Sequence, residues 1–117
     1  MENKRMLGGR YEQIAAEYLR QNGYRIIEQT FFTRIGEIDI VACERGYLCF
    51  VEVKYRTGYA YGYAAEAVNY AKQRTICRVA ALYMKARRLP QTTPVRFDVV
   101  SIQGEEIRLF RNAFPTR

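Results

Sequence analysis

Two acidic side chains and a lysine lie in a segment that otherwise has the pattern of buried β-structure. The segment GEIDIVACERGYLCFVEVKYR, residues 36–56, carries Asp39, Glu52 and Lys54 among apolar and β-branched residues. Carboxylates that face each other at close range repel, so they need a cation between them. Mg²⁺ takes hard oxygen ligands, often one or two carboxylates, and keeps several waters for itself and for a phosphate. These residue types predict a Mg²⁺ (or Mn²⁺) site that faces a phosphate group.

The turn between the two strands decides whether these side chains meet. A two-residue loop, Arg45–Gly46, or a four-residue loop, Glu44–Tyr47, places Asp39 directly opposite Glu52. Side chains two residues apart on a strand share a face, so Glu52 and Lys54 point the same way. Either loop therefore brings the two carboxylates and the lysine together.

Two alternatives compete with this convergence. A three-residue loop would shift the register and put Asp39 opposite Val51, which would separate the carboxylates. The acidic side chains could also point outward on a solvated strand face. Leu48 and Phe50 share the face of Glu52, however, and a solvated face would expose both of them. This favours a partly covered acidic pocket.

Helical and β-periodicities alternate around this segment. An apolar stripe predicts a first helix that ends at Asn22-Gly23, and its members are Tyr11, Ile14, Ala15, Tyr18 and Leu19. YRIIEQTFF reads as a strand before the hairpin, VRFDVVSI and EEIRLF read as strands near the C-terminus, and YRTGYAYGY reads as a loop. A long, alanine-rich second helix is predicted from about Ala64 to Arg88.

This order of elements predicts an α/β fold with a mixed central β-sheet flanked by helices. A long helix between the hairpin and the next strand is the connection that parallel pairing requires. Residues 1–117 are short enough for one domain with a single core, and residues 1–7 are a candidate flexible segment.

The net charge of +7 is unevenly distributed along the chain. No acidic residue occurs between Glu66 and Asp98, whereas seven basic residues do: Lys72, Arg74, Arg78, Lys85, Arg87, Arg88 and Arg96. A field of one sign attracts polyanions, nucleic acid first and an anionic membrane surface second. A solvated helix face is the alternative, but such faces normally mix acidic with basic residues.

The cysteine and histidine content excludes other chemistries. Cys43, Cys49 and Cys77 show no metal-ligand spacing and the chain has no histidine, so a zinc site and histidine-based catalysis are not expected. Small buried thiols in a reducing cytoplasm are the main interpretation, and a local Cys43–Cys49 redox pair is the secondary one. No apolar run is long enough to span a bilayer, and we expect a cytoplasmic protein with no membrane partner.

The whole pattern resembles a known family. Asp39, Glu52 and Lys54 match the PD-(D/E)xK nuclease pattern, with Ile38 where that pattern has proline. GRYEQIAAEYL, NGYRIIEQ, GEIDIVA, FVEVKYR, YGYAAEAV, Lys72 and RFDVV together resemble the small bacterial YraN-type family, related in pattern to archaeal Holliday-junction resolvases. The resemblance implies a restriction-endonuclease-like fold and, from the resolvases, a metal-dependent dimeric nuclease acting on branched DNA.

Site roles follow from the resemblance residue by residue. Asp39, Glu52 and the main-chain carbonyl of Val53 would hold one or two Mg²⁺ ions, with Lys54 stabilising charge on the scissile phosphate. Glu12 corresponds to a glutamate on the first helix of the resolvases and would complete the metal shell or act through a water.

Nucleic acid, expected to be DNA, would contact residues on both sides of this site. The candidates are Arg56, Lys72 and Gln73, with tyrosines for stacking at Tyr55, Tyr59, Tyr61 and Tyr63; ordinary loop packing is an equal interpretation for the tyrosines. Arg10 and Arg34 could add charge. A homodimer is implied only by analogy with the resolvases.

Two non-enzymatic interpretations remain open. The chain could be a binding module that keeps a nuclease fold, or an interaction protein whose basic helix docks on an acidic partner or a membrane surface. Glu37 has no assigned nuclease role, and a salt bridge with Lys54 or a structural role would explain it equally well.

Overall fold

The computed structural model describes residues 4–56 and 68–117. These described residues form two helices and five strands: α1 Lys4–Gln21, β1 Arg25–Thr33, β2 Gly36–Glu44, β3 Tyr47–Arg56, α2 Tyr70–Ala86, β4 Val95–Gln103 and β5 Glu106–Phe114. All five predicted strands are present, and β5 extends four residues beyond the predicted EEIRLF.

The strands form one sheet in the order β1-β2-β3-β4-β5. The pairs β1–β2, β2–β3 and β4–β5 are antiparallel, whereas β3 and β4 are parallel from Leu48–Val95 to Arg56–Gln103. The segment that joins β3 to β4 contains α2, as parallel pairing requires. The predicted mixed α/β sheet is confirmed, and it is consistent with a restriction-endonuclease-like fold.

Each face of the sheet is covered by one helix, which gives two layers of core. Ala15, Ala16 and Leu19 of α1 pack on one face, the α1 face, with Ile40 and Val51. On the other face, the α2 face, the core contains Ile38, Val41, Leu48, Phe50, Ile76, Val79, Tyr83 and Phe97. Asp39 and Glu52 lie on strands β2 and β3, which are interior in the sheet and are paired on both sides.

Helix α1 has a buried apolar stripe as predicted, but the stripe is rotated around the helix axis relative to the prediction. Ala15, Ala16 and Leu19 are fully buried, but Ile14 is 39% exposed. The centre of the buried stripe therefore passes through Glu12, at spacings i, i+3, i+4 and i+7. Glu12 points toward the sheet rather than along the edge of the stripe.

Helix α2 begins later than predicted. Asn69 is its N-cap, with an extended ψ of 168° and a side chain that accepts a hydrogen bond of 2.8 Å from the backbone N–H of Lys72. Residues 68 and 69 are not helical, so the prediction was wrong there, and residues 64–67 lie outside the described part of the chain.

The β2–β3 hairpin closes through the two-residue loop Arg45–Gly46. Both residues have positive φ, 52° and 82°, which is the conformation of a type I′ turn. The paired residues run from Glu44–Tyr47 to Ile40–Val51. This is the register predicted for an even-numbered loop, and the three-residue alternative is excluded. The predicted direct pairs Asp39–Glu52 and Glu37–Lys54 are not formed, because the ladder ends at Ile40–Val51.

A buried ionic network lies on the α1 face near this turn. Arg96 donates to both Asp98 oxygens, at 2.9 and 2.8 Å, and to Glu44 at 2.6 Å. Tyr24 Oη donates to Asp98 at 2.6 Å, and Arg111 forms a further ion pair with Glu44 at 2.6 Å. The inclusion of Arg96 in the basic field was therefore wrong, because its charge is neutralised inside the protein.

The three cysteines are free thiols; Cys49 and Cys77 are buried, as the main interpretation predicted, whereas Cys43 is only half-buried. Cys43 contacts the core of the α2 face and Cys49 lies in the core of the α1 face, so the sheet separates them and the local redox pair is excluded. No helix in the described ranges has the length and hydropathy to cross a membrane.

Candidate functional site

The β2–β3 ladder ends immediately before the acidic residues. Its last pair is Ile40–Val51, and one residue beyond it the Asp39 carboxylate accepts a hydrogen bond of 2.8 Å from the backbone N–H of Val53. Ile38 packs on the α2 face and Ile40 on the α1 face, although strict alternation would place both on one face. The break in alternation at Asp39 lets its carboxylate satisfy a backbone group of the neighbouring strand.

Glu52 is buried on strand β3, with only 7% of its surface exposed. It follows Leu48 and Phe50 on the α2 face, as predicted, and Lys54 is the next residue on that face. Burial raises the pKa of Glu52, while the positive charges of Lys72 on α2 and Lys54 on β3 lower it. Glu52 is thus a buried carboxylate with the positive charges of two lysines near it.

Glu12 reaches the same region from α1. Its Oε1 accepts a hydrogen bond of 2.8 Å from Thr30 Oγ1 on β1. The β1–β2 pairs Gln29–Ile40 and Phe31–Ile38 place Thr30 across from Asp39. Thr30 has φ of 53°, a conformation that is costly for a β-branched residue. The backbone therefore bends locally where the hydroxyl is aimed at Glu12.

Four carboxylates influence one another here, namely Glu12, Glu37, Asp39 and Glu52, which together we call the carboxylate cluster. Burial, followed by the negative charge of Glu52, raises the pKa of Asp39 well above its ordinary range, and Glu12 and Glu37 act in the same direction. Burial also raises the pKa of Glu12, against the hydrogen bond from Thr30. The fold thus keeps acidic groups together at an energetic cost.

This donor set fits a hard divalent cation. Within residues 4–56 and 68–117, no three Asp, Glu, Cys or His side chains are arranged as a complete metal cage. Mg²⁺ does not require one, because it commonly takes one or two carboxylates and completes its shell with water and phosphate. Asp39 and Glu52 supply the carboxylates, and they lie close enough for the negative charge of Glu52 to raise the pKa of Asp39.

The residues predicted to contact nucleic acid differ in their burial and in the contacts that they make within the protein. Lys72 and Arg56 are half-buried beside the site. The Tyr55 ring stacks on Tyr11, with centroids 4.2 Å apart, so it packs within the protein. Gln73 is buried, and its amide donates to the Val68 carbonyl and accepts from Arg117. Tyr59, Tyr61 and Tyr63 lie outside the described residues.

Sequence reasoning missed two parts of this arrangement. Thr30 had no assigned role, because a threonine in a strand gives no signal of a left-handed backbone. A salt bridge between Glu37 and Lys54 was one of two equal interpretations, but in the described chain no ion pair joins them, and Glu37 instead raises the pKa values of the neighbouring carboxyls. The acidic residues of GEID are visible in the sequence, but Glu37 was given no role in the site.

Fold and site together define a class, an α/β protein with a five-stranded mixed sheet and a carboxylate cluster where two central strands separate. The chain belongs to the uncharacterised protein family UPF0102, whose model matches residues 11–102. It is 52% identical over 112 residues to a UPF0102 protein of Lachnoclostridium phytofermentans, covering 96% of this chain and 95% of the relative. A UPF0102 protein of Symbiobacterium thermophilum is 48% identical over 115 residues, covering 94% and 97%. The predicted YraN-type membership is confirmed.

Proposed function

We propose that this protein is a metal-dependent nuclease that hydrolyses phosphodiester bonds in DNA in the cytoplasm. The observation that carries the proposal is the pair of neighbouring carboxylates, the half-buried Asp39 and the buried Glu52, whose pKa values are both raised, with the charges of Lys54 and Lys72 near Glu52. Such a pair stabilises nothing by itself, because like charges repel. It becomes favourable when a divalent cation binds between the carboxylates.

Each residue has a defined task in this proposal. Asp39, Glu52 and the carbonyl of Val53 would hold Mg²⁺ or Mn²⁺, with Glu12 completing the shell directly or through a water. When bound, the cation supplies a water of lowered pKa and offsets charge on the phosphate. Lys54, fixed on the same face as Glu52, stabilises the negative charge that develops in the transition state.

The surroundings of the site favour a polyanionic substrate. Arg74, Arg78, Lys85 and Arg88 are exposed on or just after α2, in a stretch of sequence without acidic residues. Arg87 contributes less, because it forms an ion pair of 2.7 Å with Glu28. Positive charge of this kind attracts the phosphate backbone with little regard to sequence.

A cleavage panel tests the proposal. Junction, flap, single-stranded and duplex DNA, and RNA, are incubated with the protein and either Mg²⁺ or Mn²⁺. We expect metal-dependent cleavage of at least one DNA, and losses of about 100-fold or more in rate for Asp39→Asn, Glu52→Gln and Lys54→Ala, the order of effect seen when one charge-stabilising group is removed. Glu17→Gln, an exposed carboxylate on α1, is the matched control and should cleave like the parent.

A binding module would give a different result. Salt-dependent binding of the same DNAs without cleavage in either metal would reject the nuclease and keep the nucleic-acid partner. Cleavage by Glu52→Gln at the parental rate would reject the assigned site.

A further inference from the structure

The turn between β1 and β2 projects two large apolar side chains beside the carboxylate cluster. We call residues 32–36 the β1–β2 tip. Phe32 is 72% exposed, the most of any large apolar residue in the described chain, and Ile35 is 51% exposed. Phe31 packs on the α2 face, so Phe32 points to the opposite face of the strand. An exposed phenylalanine at a fixed turn indicates a contact surface.

The tip is rigid, so this exposure is a property of the fold. Thr33 Oγ1 accepts hydrogen bonds from the backbone N–H groups of Ile35 and Gly36, at 3.3 and 3.2 Å, and donates to the Gly36 carbonyl at 2.7 Å. Gly36 lies against α2, where an added Cβ would be 2.9 Å from Thr75 Cγ2. A ligand that contacts Phe32 would therefore meet a turn whose backbone is already held by these contacts.

The tip adjoins both the candidate site and positive charge. Phe32 pairs directly with Glu37, a member of the carboxylate cluster. Arg34 is exposed within the tip. Gly36 approaches Thr75 of α2. Arg74 and Arg78, which lie near Thr75 on the same helix, are exposed. The aromatic ring thus lies one strand pair from the carboxylate cluster and close in sequence to the cation Arg34, whereas Arg74 and Arg78 belong to the α2 side of the sheet.

Pairing of the β1 edge with a second copy of the chain is disfavoured by the shape of that edge. The β1–β2 register shifts between Ile26 and Glu28, and Thr30 is left-handed, so the edge is interrupted twice. Bulges and kinks of this kind prevent strands from adding to an edge. A contact between two tips related by a two-fold axis would also bring like-charged Arg34 side chains together.

We propose that Phe32 is a stacking surface for an unpaired nucleobase of the strand held at the site. Nucleobases stack on aromatic rings regardless of sequence, and a phosphate of the same strand finds a cation at Arg34. The inference rests on the nucleic-acid binding in the proposed function. It restricts the preferred substrates to polynucleotides with unpaired bases near the bound phosphates.

Equilibrium binding without divalent metal tests this surface apart from cleavage. In EDTA, the affinities of the parent and of Phe32→Ala are measured for a single-stranded oligonucleotide and for a blunt duplex of the same length. We expect Phe32→Ala to weaken single-strand binding by about five-fold or more, as loss of one stacked base does, and duplex binding by less than about two-fold. Leu82→Ala, another exposed apolar residue, is the matched control for lost apolar surface.

A fluorescent variant tests contact directly and shows that the fold is intact. The chain contains no tryptophan, so Phe32→Trp introduces a single reporter. We expect single-stranded DNA to quench its emission and the variant to bind like the parent. Tyr47→Trp, at the opposite end of the sheet, should not be quenched.

The outcomes separate this inference from the proposed function. Equal weakening of single-strand and duplex binding, or no weakening, overturns the stacking role even if the parent cleaves DNA. A change of oligomeric state in Phe32→Ala, measured by sedimentation, also overturns it and assigns the tip to self-association. Selective weakening in a parent that binds but never cleaves supports the stacking surface while rejecting the nuclease.

Discussion

Asp39 combines two properties that a surface carboxylate does not have together. It accepts the Val53 N–H in place of a ladder partner, and it lies among three other carboxylates. The first property fixes the orientation of the side chain, and the second makes its negative charge unfavourable. A residue so placed is oriented before any ligand arrives, which is the condition for tight and specific cation binding.

This environment predicts an unusual dependence of stability on pH. In the unfolded chain Asp39 titrates near its ordinary pKa of about 3.9, whereas in the folded protein burial and Glu52 raise its pKa to about 8. Between these values the folded state binds more protons, so the free energy of unfolding falls as pH rises. We expect stability in EDTA, measured by urea denaturation, to decrease steadily from pH 5 to pH 8.

Substitution at Asp39 checks the origin of that slope. Asp39→Asn should remove most of it and should be more stable than the parent at pH 8. Glu44 does not interfere, because Arg111 and Arg96 hold its pKa near 2, far below the tested range. A parental slope in Asp39→Asn would mean that other groups cause the dependence.

Some residue-level features could not be predicted from sequence. The two-residue turn Arg45–Gly46 was predictable as one of three loop lengths, because glycine beside an alternating pattern favours a type I′ turn without excluding longer loops. The left-handed Thr30 was not, because local preference opposes it and only the tertiary contact with Glu12 explains it. Local chemistry determines turns, whereas strained positions depend on the residues around them.

At the scale of elements, the helices bring the site together from both faces of the sheet. Helix α1 directs Glu12 toward the strands, and α2 begins at Tyr70, which places Lys72 near Glu52. The apolar stripe predicted α1 but not its rotation, because Ile14 fits the period equally well yet is exposed. Apolar periodicity locates a helix in the sequence, whereas packing against the sheet determines which of its residues face the core.

The contact between the β1–β2 tip and α2 depends on a glycine. Gly36→Ala would place a Cβ 2.9 Å from Thr75 Cγ2, and we expect it to lower the free energy of unfolding by about 1–3 kcal/mol. Gly9→Ala is the opposite control, because no atom lies within 4 Å of its added Cβ and it sits within α1. That variant should be more stable by about 0.5–1 kcal/mol.

Thermal denaturation of both glycine variants measures these effects. If Gly36→Ala is as stable as Gly9→Ala, the tip is not held against α2, and the rigidity assigned to it is wrong.

At the scale of the whole molecule, two sets of carboxylates differ in how far their charge is neutralised: those of the ionic network and those of the carboxylate cluster. The ionic network satisfies Glu44 and Asp98 with two arginines, a tyrosine and a backbone N–H. The carboxylate cluster instead contains more negative charge than nearby lysines neutralise. The two sets could not be distinguished from the sequence, because Asp98 lies in a predicted strand without any unusual feature and Arg96 was counted in a basic stretch.

The ionic network should therefore be structural. Arg96→Met leaves Asp98 and Glu44 buried without their shared cation, and we expect a loss of about 3–5 kcal/mol in the free energy of unfolding. Arg108→Met is the matched control, because Arg108 also pairs with a carboxylate, Glu106, but at an exposed position. It should cost less than about 1 kcal/mol. Equal losses in urea denaturation would show that burial does not distinguish the two pairs.

The parallel pairing of β3 with β4 has a consequence for biosynthesis. Leu48 finds its partner Val95 only after α2 has been made, whereas β1, β2 and β3 are neighbours in sequence. A nascent chain that has completed β3 therefore presents an apolar strand with one edge unpaired, and such edges recruit other chains. The emerging polypeptide is expected to be most prone to aggregation between the completion of β3 and the arrival of β4, and to benefit from chaperones in that interval.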